Sequence, residues 1–487
     1  MSKLYVFGIG GTGSRVLKSL SMLLAAGVKI NADEIVPIVI DPDHAAADLT
    51  RTIKLMQDYK RIYDRIDHNN YNRNAFFGTK INLEIIPSVR MPLQNTENTD
   101  FKDYIGLSLM TDANGKHNAN YALAKMLFSN KNLDATMEVG FKGNPNIGSV
   151  VLNQFALSDE FRNFAASVGQ DDRIFIISSI FGGTGASGFP LLLKNIRAIG
   201  DTQSGCENVK NSIIGAISVL PYFDVVPDNN PDEEIRSEID SATFISKTKA
   251  ALSYYERNMT EVNALYYIGD NISKQYKNSE GGSTQQNDAH FIELAAALAI
   301  VDFAAQTGLS TANGQSQGTI YKEFGIKTEA REIAFADLDA KTNTTIKKPL
   351  TAFTLFCKYL NEQIRDSYKS QPWAKDHEFD ENFFKSPFFQ SELTDFKVAY
   401  LQWLMEMGRN VRAFKPYDLR EKKNDVFSLI TGETSTKVAS LKSNYALFDD
   451  YLNTKQSKIK TDSASEQIFV ELFYNAIDEL LKSKFRM

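Results

Sequence analysis

The stretch Arg173-Ile174-Phe175-Ile176-Ile177-Ser178-Ser179-Ile180-Phe181-Gly182-Gly183-Thr184-Gly185-Ala186-Ser187-Gly188 says most about what this chain folds into. Residues 173–180 form a short, mostly apolar run, which suits a buried parallel strand. Four glycines follow within seven positions, and then a helical pattern from Leu191 to Ile199. Pro190 precedes that pattern, where a first helical turn tolerates proline. A glycine-rich turn between strand and helix lets backbone N–H groups approach an anion. The start of the helix adds its partial positive charge.

The N-terminus repeats the design. Leu4 to Phe7 reads as a strand, and Gly8-Ile9-Gly10-Gly11-Thr12-Gly13-Ser14 as the turn. Val16, Leu17, Leu20, Leu23 and Leu24 then fall on one helical face that stops at Gly27. Four glycines within six positions exceed what a tight turn requires. Further strands are expected at 34–40, 213–220 and 264–268, with helices at 241–256 and 290–305. The last is apolar all round and hence buried. Strands alternating with helices imply a parallel sheet. Residues 51–136 read as mixed helix and loop, and 224–234, 276–286 and 307–318 as surface loops. Beyond the last of these, helical patterns dominate (353–364, 393–407, 468–481), with one strand at 332–336. The expected organisation is a Rossmann-like α/β domain over residues 1–310, including the long core helix, and a mainly helical region over 311–487.

Taken alone, the first turn fits three readings. With Asp41 holding a ribose it suits a dinucleotide site. With Asp41-Pro42-Asp43 it resembles the loop of ThiF-type and ubiquitin-activating adenylating enzymes. It also resembles the first phosphate loop of tubulin and FtsZ. The second turn separates these. A dinucleotide fold or an adenylating enzyme has no need of it, whereas Gly182–Gly188 resembles the tubulin/FtsZ signature Gly-Gly-Gly-Thr-Gly-Ser-Gly, with Phe181 as the departure. Gly140-Phe141-Lys142-Gly143-Asn144-Pro145-Asn146-Ile147-Gly148 is similar to the FtsZ segment that closes over the terminal phosphate.

The resemblance covers about the first 310 residues and implies a GTP- or GDP-binding fold, Mg²⁺, and self-assembly into filaments or oligomers. It assigns phosphate contacts to Gly10, Gly11, Thr12, Gly13, Ser14, Arg15, Gly143, Asn144, Gly182, Gly183, Thr184, Gly185, Ala186, Ser187 and Gly188. Asp41 and Asp43 would serve Mg²⁺, directly or through water. Asn271 and Asn287 would read guanine, which suits an amide that both donates and accepts. Asp240 falls where the family has a ribose-binding acid, and equally where a helix N-cap belongs.

Two features depart from the family. Val301-Asp302-Phe303-Ala304 echoes part of the catalytic loop that one FtsZ subunit presents to the next, yet Asp302 is expected inside the core helix. There it reads as a helix-end carboxylate, although it is the one candidate for catalysis. The mainly helical C-terminal region replaces the family's strand-rich domain and offers a surface for a protein partner. An ATP-dependent adenylating enzyme and a non-hydrolysing, nucleotide-dependent scaffold are the alternatives.

Composition bounds the rest. Charged residues number 54 basic against 60 acidic, a net charge of -6, which argues against a nucleic-acid binder. The most apolar stretch, Leu294 to Val301, is far short of a bilayer span, and no export signal is apparent, so a cytoplasmic protein is expected. Two cysteines exclude a disulfide framework. Cys206 reads as a surface residue and Cys357 as core. The phenylalanines at 383, 384, 388 and 389 form either core or a docking surface.

Overall fold

A computed structural model describes residues 2–137, 140–141, 143–225, 244–270, 275–276, 282, 286–324, 331–419, 426–432, 444–459 and 463–487. Its centre is a seven-stranded, all-parallel sheet. In chain order the strands are β1 (Lys3–Ile9), β2 (Glu34–Ile40), β3 (Lys80–Ile81), β4 (Arg173–Ser179), β5 (Ile213–Val219), β6 (Ala264–Ile268) and β7 (Ile320–Glu323). Across the sheet they run β7-β6-β5-β4-β1-β2-β3. Register places Leu4 beside both Ile35 and Arg173. Strands β1, β2, β4 and β5 are each buried at six of seven positions, which is why they read as near-continuous apolar runs. The chain leaves β1 toward β2 and β3, then returns to lay β4 on the other flank of β1. The order therefore reverses between β1 and β4, and crevices at such a reversal are where open α/β sheets take ligands.

The helices that position the site are α1 (Gly10–Ala25), α2 (Ala47–Tyr63), α3 (Pro145–Leu152), α4 (Gly183–Thr202), α5 (Phe244–Asn258) and α6 (Phe291–Ala304). Helix α6 is buried at every residue except Asp302, as its all-apolar sequence predicts. Its first turn is closed by a capping box, with Ile292 N donating to His290 Nδ1 (3.1 Å) and His290 N to Glu293 Oε2 (3.0 Å).

Helix α4 starts at Gly183, so Pro190 lies in its interior and not in its first turn. Proline has no N–H for the carbonyl four residues back. That carbonyl, Ala186 O, accepts instead from the Tyr255 hydroxyl at 3.3 Å.

The C-terminal region is helical, built around α7 (Ala340–Glu362), α8 (Thr394–Gly408) and α9 (Ser465–Phe485). The strand expected at 332–336 is only Glu332–Ile333, paired parallel with Ala413–Phe414. Beyond residue 310 the chain still contributes β7 to the main sheet, beside β6. The C-terminal helices pack on α1 and α2. Trp403 Nε1 donates to Ser19 Oγ at 3.2 Å, and Phe396 meets Tyr59 edge-on with ring centroids 6.2 Å apart. Phe383, Phe384 and Phe389 surround Phe469, and Phe384, Phe388 and Phe389 are buried, so this cluster is core. Cys206, expected at the surface, is buried at the start of a short helix (Glu207–Lys210) that packs under α4, and burial pushes its thiol up. Cys357 is buried too, and its thiol is pushed up further by the same cause. Among the described residues, no helix is long and apolar enough to cross a membrane.

Candidate functional site

The two glycine turns leave adjacent strands, β1 and β4, at their carboxyl ends and meet. Gly10 holds φ +70°, a left-handed conformation, and a Cβ added there would stand 3.5 Å from Thr184 Cβ and 4.0 Å from Gly185 N. Gly13 lets α1 lie on β1, since a Cβ there would fall 2.4 Å from the Gly8 carbonyl carbon. The starts of α1 and α4 therefore lie side by side. Neither carries an acidic residue in its first turn, so nothing local cancels their positive ends. Thr12, Ser14, Ser187 and Gly188 are buried within these turns. Ser187 Oγ donates to Gly183 O at 2.7 Å, and Ser14 Oγ to Gly10 O at 3.4 Å.

Phe141, Gly143 and Asn144 close on the second turn. Gly143 N and Asn144 N lie 3.2 and 3.1 Å from where a Gly183 Cβ would stand. Asn144 is the residue before α3, whose first residue is Pro145. Lys247, on α5, donates from Nζ to Gly143 O at 3.0 Å, which places a cation against this loop. No motif pointed to Lys247, because it is one of many lysines in the chain and its place is set by tertiary packing. Phe181, the departure from a glycine triplet, packs its ring against Phe223 and Phe244, with centroids 5.5 and 5.0 Å away.

Arg15 immediately follows the first turn but is engaged by the protein. Its Nε donates to Glu293 at 2.5 Å, and its two terminal nitrogens to Asp48 (3.1 Å) and to the Tyr222 hydroxyl (2.8 Å). Burial opposes its charge. The Tyr222 oxygen and the Glu293 and Asp48 carboxylates outweigh that and hold its pKa well above the usual value. Tyr222 also donates to Glu293 at 2.8 Å. The sequence offered no sign of this buried cluster.

Asp41 and Asp43 follow β2 and are both buried. Asp43 accepts from Ala45 N (3.1 Å) and Gly282 N (2.7 Å), and its own N–H donates to Asp41 Oδ1 at 3.1 Å. Burial raises the Asp41 carboxyl to about 7, the Asp43 charge adds to that, and Arg90 and Arg15 pull the other way. Among the described residues the Asp41 carboxylate accepts one hydrogen bond, from Asp43 N, and so keeps acceptor capacity. Among the described residues, no group of three or more His, Cys, Asp or Glu forms a ready-made metal site. One or two carboxylates suit Mg²⁺ only when phosphate oxygens and water complete its shell.

Asn287 lies just before α6, with its backbone N–H 3.4 Å from Asp48 Oδ2 and its carbonyl 3.2 Å from an Arg51 nitrogen. Asp240 and Asn271 lie outside the described residues.

Asp302 is at the other end of α6, inside the helix. The neighbouring Phe303 carbonyl accepts from Arg173, the first residue of β4, so this end of α6 sits at the amino ends of the strands, away from the glycine turns at their carboxyl ends. Asp302 accepts from Lys322 (2.5 Å), Lys341, Tyr266 (2.8 Å) and Gln306 (2.9 Å). Burial pushes its carboxyl up, but the Lys322, Lys341 and Tyr266 hydrogen bonds hold it below the usual value.

No protein-family model matches the chain, and no curated protein matches it. Among solved structures it is similar to CetZ from Methanosaeta thermophila, at 14% identity and a TM-score of 0.25, covering 55% of this chain and 46% of that one. It is also similar to CetZ2 from Haloferax volcanii, solved as a GTPγS-bound protofilament, at 12% identity and a TM-score of 0.28, covering 63% and 60%. The matches span less than two thirds of either solved chain.

Proposed function

We propose that this chain binds a guanine nucleotide in the crevice between β1 and β4 and self-assembles in response to it, as a distant tubulin/FtsZ-like protein. One observation carries the reading. Two glycine turns, each opening a helix, meet where the strand order reverses, with Gly10 against Thr184 and Phe141, Gly143 and Asn144 against Gly183. Two positive helix starts converging on one crevice favour a ligand with several phosphates over one with a single carboxylate.

In this reading the backbone N–H groups of Gly10–Ser14 and Gly182–Gly188 hold the phosphates. Gly143, Asn144 and Lys247 line the outer wall, where a terminal phosphate would be sensed. Asp41 and Asp43 would hold Mg²⁺ together with phosphate oxygens, and the cation would supply charge neutralisation that the Asp41 carboxyl lacks. Asn287, with Asn271 and Asp240, would complete the base and ribose end. Arg15 braces the first turn, held by Glu293, Asp48 and Tyr222. With Asp302 engaged by two lysines, the proposal covers binding and assembly rather than hydrolysis.

The test is to denature the purified protein, chromatograph what it releases, and sediment it with GTP, GTPγS or GDP. Released GTP or GDP, and pelleting that depends on the nucleotide, are the expected results. Released ATP, AMP or a dinucleotide would overturn the guanine reading. The same soluble fraction under every nucleotide would overturn assembly.

A further inference from the structure

The backbone of the Asn287–Ala289 segment is held at both ends by polar side chains, two of them, Glu406 and Asn410, from the C-terminal region. Ala289 N donates to Glu406 Oε2 at 2.9 Å, and Ala289 O accepts from Asn410 Nδ2 at 2.8 Å. Both partners belong to α8 or its end. Asn287 N lies 3.4 Å from Asp48 Oδ2, and Asn287 O accepts from Arg51 at 3.2 Å. The same Arg51 reaches Glu406 Oε1 (3.2 Å) and Asp48 Oδ1 (2.6 Å). Lys18, one turn beyond the first glycine turn, reaches Glu406 Oε2 at 3.3 Å.

Glu406 is 2% exposed, so these contacts form away from water, where charged hydrogen bonds are strong and leaving one unmade is costly. One carboxylate from the far end of the chain thus ties together α1, α2 and the backbone that leads into α6.

We infer that Glu406 is a positioning residue for the base end of the nucleotide site. It fixes where Asn287 sits relative to the phosphate turn that α1 begins. This rests on the guanine-nucleotide reading above. The C-terminal helices are then part of the specificity of the site and not an appended partner-binding module. The physical reason is preorganisation: an amide that reads a base discriminates only if its backbone is already placed, since disorder is otherwise lost on binding.

The experiment compares GTP with ITP, which lacks the 2-amino group that an amide oxygen would accept from, on the full chain. Glu406→Gln keeps the size and puts an amide against Lys18 and Arg51. Asn410→Ala removes the contact to Ala289 O and a longer one to the Glu406 carbonyl (3.3 Å) and leaves every ion pair in place, so it decides the matter even where Glu406→Gln is insoluble. The expected result is a GTP affinity lowered about tenfold by Glu406→Gln and about fivefold by Asn410→Ala, with ITP affinity changed much less. The GTP-to-ITP ratio therefore narrows. A merely structural role would weaken both nucleotides equally. A wild-type chain that prefers GTP, with both variants keeping the wild-type ratio, would overturn this inference alone. A wild-type chain with no preference for GTP over ITP or ATP would overturn the guanine reading and this inference with it.

Discussion

Arg15 shows how a residue inside a binding motif can belong to the core. Its three nitrogens meet Glu293, Asp48 and Tyr222, all buried. Arg15→Met would leave two buried carboxylates short of a partner, and such losses cost about 3–5 kcal/mol. Urea denaturation should show that drop in stability. Arg15→Lys should recover little of it, because one ammonium cannot span three partners. Asp302 behaves differently, since it is only half-buried. Its folded carboxyl titrates below the ordinary 3.8, so its ion pairs stabilise the chain above that value and the contribution disappears as pH falls through the folded pKa. Asp302→Asn should therefore cost about 1 kcal/mol near pH 7. The two unfolding curves should converge in acid, and equal stability of variant and wild type at pH 7 would count against the Lys322 and Lys341 clasp.

The turns themselves separate structural glycines from ligand-facing ones. Gly13→Ala would drive a Cβ to 2.4 Å from a backbone carbon of Gly8, and backbone cannot give way. This variant should fail to fold or melt far below wild type. At Gly11 the nearest obstacle is an Arg15 nitrogen at 3.4 Å and φ is not left-handed, so Gly11→Ala should fold within about 0.5 kcal/mol of wild type. If it also loses nucleotide-induced stabilisation in a thermal melt, the exposed side of the turn is the ligand side. An unchanged nucleotide shift would mean that the phosphates lie elsewhere. These turns were legible in the sequence because their signal is local: glycine, a strand before, a helix after. The Glu406 contacts were not. Arg51 and Lys18 lie 355 and 388 residues away along the chain, and each of these charges reads as an ordinary solvated one. The early start of α4 was hidden for a related reason. Pro190 looks like a first-turn residue until Tyr255, 65 positions on, is seen to satisfy the carbonyl that proline leaves open.

Across the whole molecule, the C-terminal helices bury parts of α1 and α2 that would otherwise face water, through Trp403, Phe396 and Glu406. The chain beyond residue 310 also supplies β7. Residues 1–310 alone should therefore be insoluble or bind hydrophobic dye, as gel filtration and dye fluorescence would show. A soluble, cooperative 1–310 fragment would mean that the two parts fold independently. The sequence signalled the change of character near residue 310 but not the strand returned across it, because four residues of an edge strand carry little pattern. The burial of α6 has a consequence that can be timed. A helix enclosed on all sides releases its amide protons to solvent only when the entire chain opens, so its deuterium uptake should be among the slowest in the protein. That single helix then serves as a clock for global opening. Any ligand bound by the folded chain alone should slow the clock by the factor one plus its concentration over Kd.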